Sequence, residues 1–162
     1  MTDNMEKLLV EGLQEMYYAE QQLESALETM ARQTENEEAS QGFSEHREET
    51  REQVQRLEQV FEQIGQNPET REEQVVKSLI EEHEAFAEDN DGEVLDRYNM
   101  ATGQKVEHYE IAAYGNLTSL AGKAGYDDAA DLLSETLDEE EAALEEVTQV
   151  SEQFDEREIS SD

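Results

Sequence analysis

Glu20, Glu110 and Glu140 stand where a helical apolar stripe calls for leucine. Around Glu20 the spacing of threes and fours runs Leu9, Leu13, Met16, Glu20, Leu23, Leu27, Met30, which is the a/d rhythm of a helix seam. Around Glu110 it runs Val106, Glu110, Ala113, Leu117, Leu120, and around Glu140 it runs Leu133, Leu137, Glu140, Leu144, Val147. A fourth stripe reads Phe43, His46, Thr50, Gln53, Leu57, so an imidazole joins the carboxylates. Carboxylates gathered in a low-dielectric core repel one another and lose hydration worth several kcal/mol each. Either protons stay on them or cations sit between them. A pair of divalent or trivalent metal ions is the simplest resolution, and carboxylate plus imidazole suits iron or manganese. Glu107 lies one turn before Glu110 and Glu49 one turn after His46, so each pair can reach one centre. The candidate ligands for two iron or manganese ions are therefore Glu20, His46, Glu49, Glu107, Glu110 and Glu140. Glu49 and Glu107 sit at the edges of their apolar faces, Glu139 is an alternative to Glu140, and Gln53 could ligate weakly or only hydrogen-bond.

Holding these groups together requires long helices at matched depth. Apolar periodicity predicts helices over 1–33, from just past a polar break at 33–36 to Ile64, over 69–88, over 93–124 and over 127–154. Gly65 with Pro68, the run Glu88-Asp89-Asn90-Asp91-Gly92, and Gly125 mark the stops, as expected of helix ends and turns. No strand-like alternation occurs, so the fold class is all-α. The first and last long pairs are joined by tight turns and form antiparallel hairpins. Residues 66–92 are long enough to cross the bundle and carry the short helix, which gives the ferritin-like four-helix topology. Counted from a bend near residue 35, Glu20 lies about 15 residues back, with His46 and Glu49 about 11 and 14 onward. Counted from a bend near 125, Glu110 and Glu140 each lie about 15 residues away, so each hairpin places its ligands within about one turn of a common layer. His108 points away from its seam and His83 belongs to packing of the short helix, while Tyr17, Tyr18, Tyr109 and Tyr114 flank the ligands as core filling or as carriers of an electron.

Composition narrows the rest. The 162 residues fit one domain, 1–162, with 155–162 expected as a frayed tail. Asp and Glu number 44 against 11 Lys and Arg, a net charge of -33, which excludes nucleic acid as a partner because phosphate affinity comes from cations. No apolar run could span a membrane and no basic-apolar leader opens the chain, so a cytoplasmic protein is expected. With no Cys at all, thiolate catalysis, disulfides and iron–sulfur clusters are excluded. Roughly a fifth of the residues are Leu, Ile, Val or Phe, the range in which disorder is common. The single Pro and the strict helical period argue against disorder. Acidity of this degree, with only four Lys among the cations, suits a halophile, where molar salt screens self-repulsion.

The stretches YYAEQQL (17–23), EHREETREQVQRLEQVFEQIG (45–65), VEHYEIAAYGNL (106–117) and LLSETLDEEEAAL (132–144) resemble the YciE/YciF family of ferritin-like proteins, and the similarity runs over nearly the whole chain. The resemblance implies a rubrerythrin-like bundle, a role in stress responses and a homodimer. Rubrerythrin-type sites use Glu-x-x-His on two helices. Here His46-x-x-Glu49 is reversed, and Ala142 and Ala143 stand where an imidazole could follow Glu140. The expectation is a di-iron or di-manganese carboxylate protein that oxidises Fe(II) or reacts with peroxide or dioxygen. The alternatives are a non-catalytic scaffold or partner-binding bundle, and an iron-storing cage.

Overall fold

The computed structural model describes residues 3–159, with the Ile159 side chain outside the described set. The helices are α1 (Asp3–Gln33), α2 (Glu37–Gln63), α3 (Gln74–Asp89), α4 (Gly92–Ala124) and α5 (Asp127–Phe154). Local chemistry starts and stops them. Asn36 caps α2 by accepting from the Ala39 amide at 3.0 Å. Glu73 caps α3 through the amides of Val75 and Val76, at 2.9 and 2.7 Å. Gly125 ends α4 at φ 83°, and Tyr126 N–H returns to Ala121 C=O at 3.0 Å, the left-handed closure that glycine permits.

α1 and α2 form one hairpin and α4 and α5 the other. α1 also packs on α4, and α2 on α5. Contacts from Thr34 to Asn99, Glu20 to Tyr114 and Tyr126 to Glu6 show α1 and α4 running antiparallel. Every neighbouring pair of the four long helices is then antiparallel, and the chain must travel the full bundle length between α2 and α4. This is the ferritin-like topology. α3 begins at Gln74, later than the periodicity predicts, because 66–73 runs non-helically along α1. Arg71 N–H donates to Gln14 C=O at 3.1 Å, and its guanidinium meets Glu11 and Glu15 at 2.9 and 3.4 Å.

Two apolar clusters fill the interior. One centres on Leu9, Leu13, Met16, Leu57, Phe61, Leu117 and Leu133. The other consists of Leu27, Met30, Ala39, Phe43, Met100 and Phe154 at the end of the bundle carrying the α1–α2 turn. Between them lies a polar layer. The buried face of α4 is rotated from the predicted seam, and carries Glu107, Tyr114 and Ala121 in place of Ala113, Leu120 and Ala124, which are half-buried. Leu137, Leu144 and Val147 on α5 are likewise only half-buried, since polar Thr136, Glu140 and Ser151 take the inward positions. Of the tail expected at 155–162, residues 155–159 form a π-helical turn with Arg97 on Asp155 at 2.7 Å. The remainder of that tail lies outside the described residues.

Candidate metal centre

The polar layer collects one donor-bearing residue or more from each long helix. His46 of α2, Glu107 and Glu110 of α4, and Glu140 of α5 each present a ligand atom, all within 4.8 Å of one another. Glu110 and Glu140 are fully buried, and neither oxygen of either has a hydrogen-bond partner. One oxygen of Glu107 and one of Glu20 are equally orphaned. Leaving that many buried carboxylate oxygens unpartnered runs against the near-universal pairing of interior polar groups. The donor set thus fits a hard or borderline cation.

His46 orders the cluster. Its Nε2 lies 2.9 Å from Glu107 Oε1 and 3.8 Å from Glu140 Oε2, while Nδ1 faces Glu49 Oε2 at 3.4 Å. Glu49 is 49% exposed, so it stands apart from the buried four on the imidazole's other nitrogen. Burial alone would lower the His46 pKa, but the charge and hydrogen bond of Glu107, with Glu49 and Glu140, carry it well above the ordinary histidine value. Burial would raise Glu107, and the neighbouring imidazolium outweighs it and holds that carboxyl below the usual range. Glu110 and Glu140 are pushed well up, first by desolvation. For Glu110 the charges of Glu140, Glu20 and Glu107 add to this, and for Glu140 the adjacent Glu107 carboxylate does.

Glu20 of α1 completes the layer. Tyr114 O–H donates to its Oε1 at 2.5 Å, and desolvation raises its pKa to about 7 although the Tyr114 bond pulls the other way. Of the two adjacent candidates on α5, Glu140 faces the cluster. Glu139 is claimed by Arg56, whose two terminal nitrogens bind both its oxygens at 2.8 Å. Gln53 also donates to Glu139 at 3.0 Å, and Thr136 accepts from Arg56 at 2.8 Å. This network, and the bond from Tyr114, had no visible signal beyond Arg56 and Tyr114 lying near the edges of their faces. His108 is exposed. His83 is buried, its Nε2 2.7 Å from Asn99 Oδ1, a packing role. Tyr17 bonds Glu58 at 2.8 Å, at the surface.

An antiparallel bundle with one long crossover, built around a buried carboxylate–imidazole layer, defines a ferritin-like protein. The chain belongs to the family described as a domain of unknown function (DUF892), whose pattern matches residues 4–160; this is the family of YciF. YciF of Escherichia coli K12 is 45% identical over 140 residues, covering 85% of this chain and 84% of YciF. The crystal structure of that stress protein matches with a TM-score of 0.92 at 39% identity, covering 97% of this chain and all of the other. YcfI of Rhodopseudomonas palustris, provisionally described as a structural protein, gives 0.86 at 43% identity over 89% of this chain and 92% of its own. A Xanthomonas campestris protein at 22% identity and a TM-score of 0.73, covering 93% of this chain and 92% of its own, shares the fold. No helix among the described residues is long and apolar enough to cross a membrane.

Proposed function

We propose that this chain is a di-iron or di-manganese carboxylate protein of a stress response, acting on Fe(II), peroxide or dioxygen. The observation that carries the reading is the convergence of four buried ligand atoms within 4.8 Å with most of their carboxylate oxygens unpartnered. His46, Glu107, Glu110 and Glu140 would hold one ion, and Glu20 beside Glu110 would complete the second. Bound iron or manganese supplies one-electron chemistry toward dioxygen or peroxide. The protein's own part is positioning. Tyr114 fixes the orientation of Glu20, and the Arg56–Gln53–Thr136 set keeps Glu139 from competing with Glu140. Glu49, rather than ligating, accepts from His46 Nδ1 and holds Nε2 toward the cluster, as outer carboxylates do at metal-bound histidines.

The test is metal content and ferroxidation. Protein reconstituted with Fe(II) should retain about two ions per chain and oxidise Fe(II) faster than buffer, and Glu20→Ala and Glu110→Ala should each lose iron. Unchanged metal content in both variants sinks the proposal. The similarity to YcfI keeps a second reading, a metal-free structural bundle, which predicts full helicity with no retained metal. In solution the chain should be a homodimer, checked by sedimentation.

A further inference from the structure

Toward the α1–α2 turn, a pocket half-open to solvent adjoins the carboxylate layer. A cavity of about 420 Å³ lies among α1, α2, α4 and α5, with Leu27, Met30, Phe43, Met100 and Val147 among its walls, and reaches His46 and Glu107. Ala143 is part of its lining. This residue stands one turn beyond Glu140 on the same strip of α5, so the space exists partly because a methyl group occupies that position. An apolar space of about 150 Å³ already holds benzene, so this pocket, although open to solvent on one side, has room for a larger hydrocarbon body. Its ionisable rim is acidic: Glu38, Glu45, Glu49 and Glu146 line it, and no Lys or Arg does.

We propose that the cavity binds a small apolar molecule bearing no negative charge and presents it to the His46–Glu107 edge of the carboxylate cluster. Apolar walls with adaptable methionines favour the body of such a molecule, and the acidic rim disfavours a carboxylate-headed one. That the bound molecule is a substrate of the centre rests on the metal reading above; binding itself does not.

The experiment titrates metal-free protein with n-octanol and with octanoate by calorimetry. Octanol should saturate one site per chain and octanoate should bind at least tenfold more weakly. Ala143→Leu on α5 and Ala26→Leu on α1 add bulk to the cavity lining and should each weaken octanol at least tenfold while helicity is retained. Failure of octanol to saturate, equal binding of octanoate, or parent-like binding in both variants overturns the proposal. Manganese(II) added to the same samples separates the two readings. Octanol that binds without manganese retention rejects the metal centre and leaves the cavity standing, whereas retained manganese without octanol binding does the reverse.

Discussion

Two adjacent residues with the same side chain have opposite fates in α5. Glu140 is fully buried with neither oxygen bonded, and Glu139 turns to Arg56, because a helix turns by about 100° per residue. Glu110 is the sharpest case of a group whose placement costs stability unless something neutralises it. Glu110→Gln removes the buried ionisable group at nearly constant volume, and metal-free protein should be stabilised relative to the parent above about pH 7, where repulsion among the carboxylates is greatest. If iron or manganese raises the parent's melting temperature as the proposed centre requires, the same variant should lose that rise, as thermal melts with and without metal will show. The pH dependence follows by sign. Glu20, raised to about 7, and Glu110 and Glu140, also raised well above the ordinary carboxylate value, stabilise the metal-free fold below the ordinary carboxylate pKa, and that stability is lost as pH rises through their folded values. His46 is also raised, so its contribution is present below the usual histidine value and fades in the same direction. Glu107 is lowered, and its contribution is lost only in acid, below the usual carboxylate range. Metal-free protein should therefore unfold at lower urea concentration at pH 8 than at pH 5.5. Added metal should reverse that trend, since ligation displaces the protons.

At the scale of helices, a few polar contacts fix the angle and depth at which each rod docks. Asp96, buried near the start of α4, accepts from the amides of Glu35 and Asn36 at 2.9 and 2.8 Å, tying α4 to the α1–α2 turn. Asn99 extends the tie, donating to Thr34 Oγ1 at 3.0 Å and meeting His83 of α3. Asp96→Ala leaves two amides without their acceptor and should destabilise by about 1–3 kcal/mol. Hydrogen exchange should quicken around 34–39 first, and protection there equal to the parent's would argue that water replaces the carboxylate at no cost. Helix boundaries and hairpin pairing were legible because stop signals and period are local: Gly125 closes α4 where the sequence places its end, and the α1–α2 turn falls at the polar break 33–36. The start of α3 was not, because an extended run held by contacts to α1 has no local signature. The inner face of α4 was misjudged by a small rotation, since Asp96, Asn99 and Thr102 are buried there and blur the apolar stripe.

As a whole molecule, the chain carries a net charge of -33 on a bundle whose cations are few and mostly paired at the surface, as with Arg51 to Glu24 and Glu48 at 2.6 and 2.9 Å. Self-repulsion of that size should be felt at low ionic strength, where the screening length is about 30 Å at 0.01 M and about 3 Å at 1 M. We expect the melting temperature to climb steeply from dilute buffer to molar KCl, with helical circular dichroism reduced in the dilute sample. A melting temperature independent of salt would remove the case for a halophilic chain.

The residue order alone determined that the protein is helical, where its long helices turn, and that each presents a metal-ligand type in an apolar seam, because helical period and rise are properties of consecutive residues. Contacts between helices decided the remainder: Glu107 buried and Glu49 half exposed, Tyr114 on Glu20, Arg56 on Glu139, and an open cavity beside Ala143. Those outcomes depend on how far each helix is rotated about its axis when packed against three others, and that rotation is set by side chains distant in the chain.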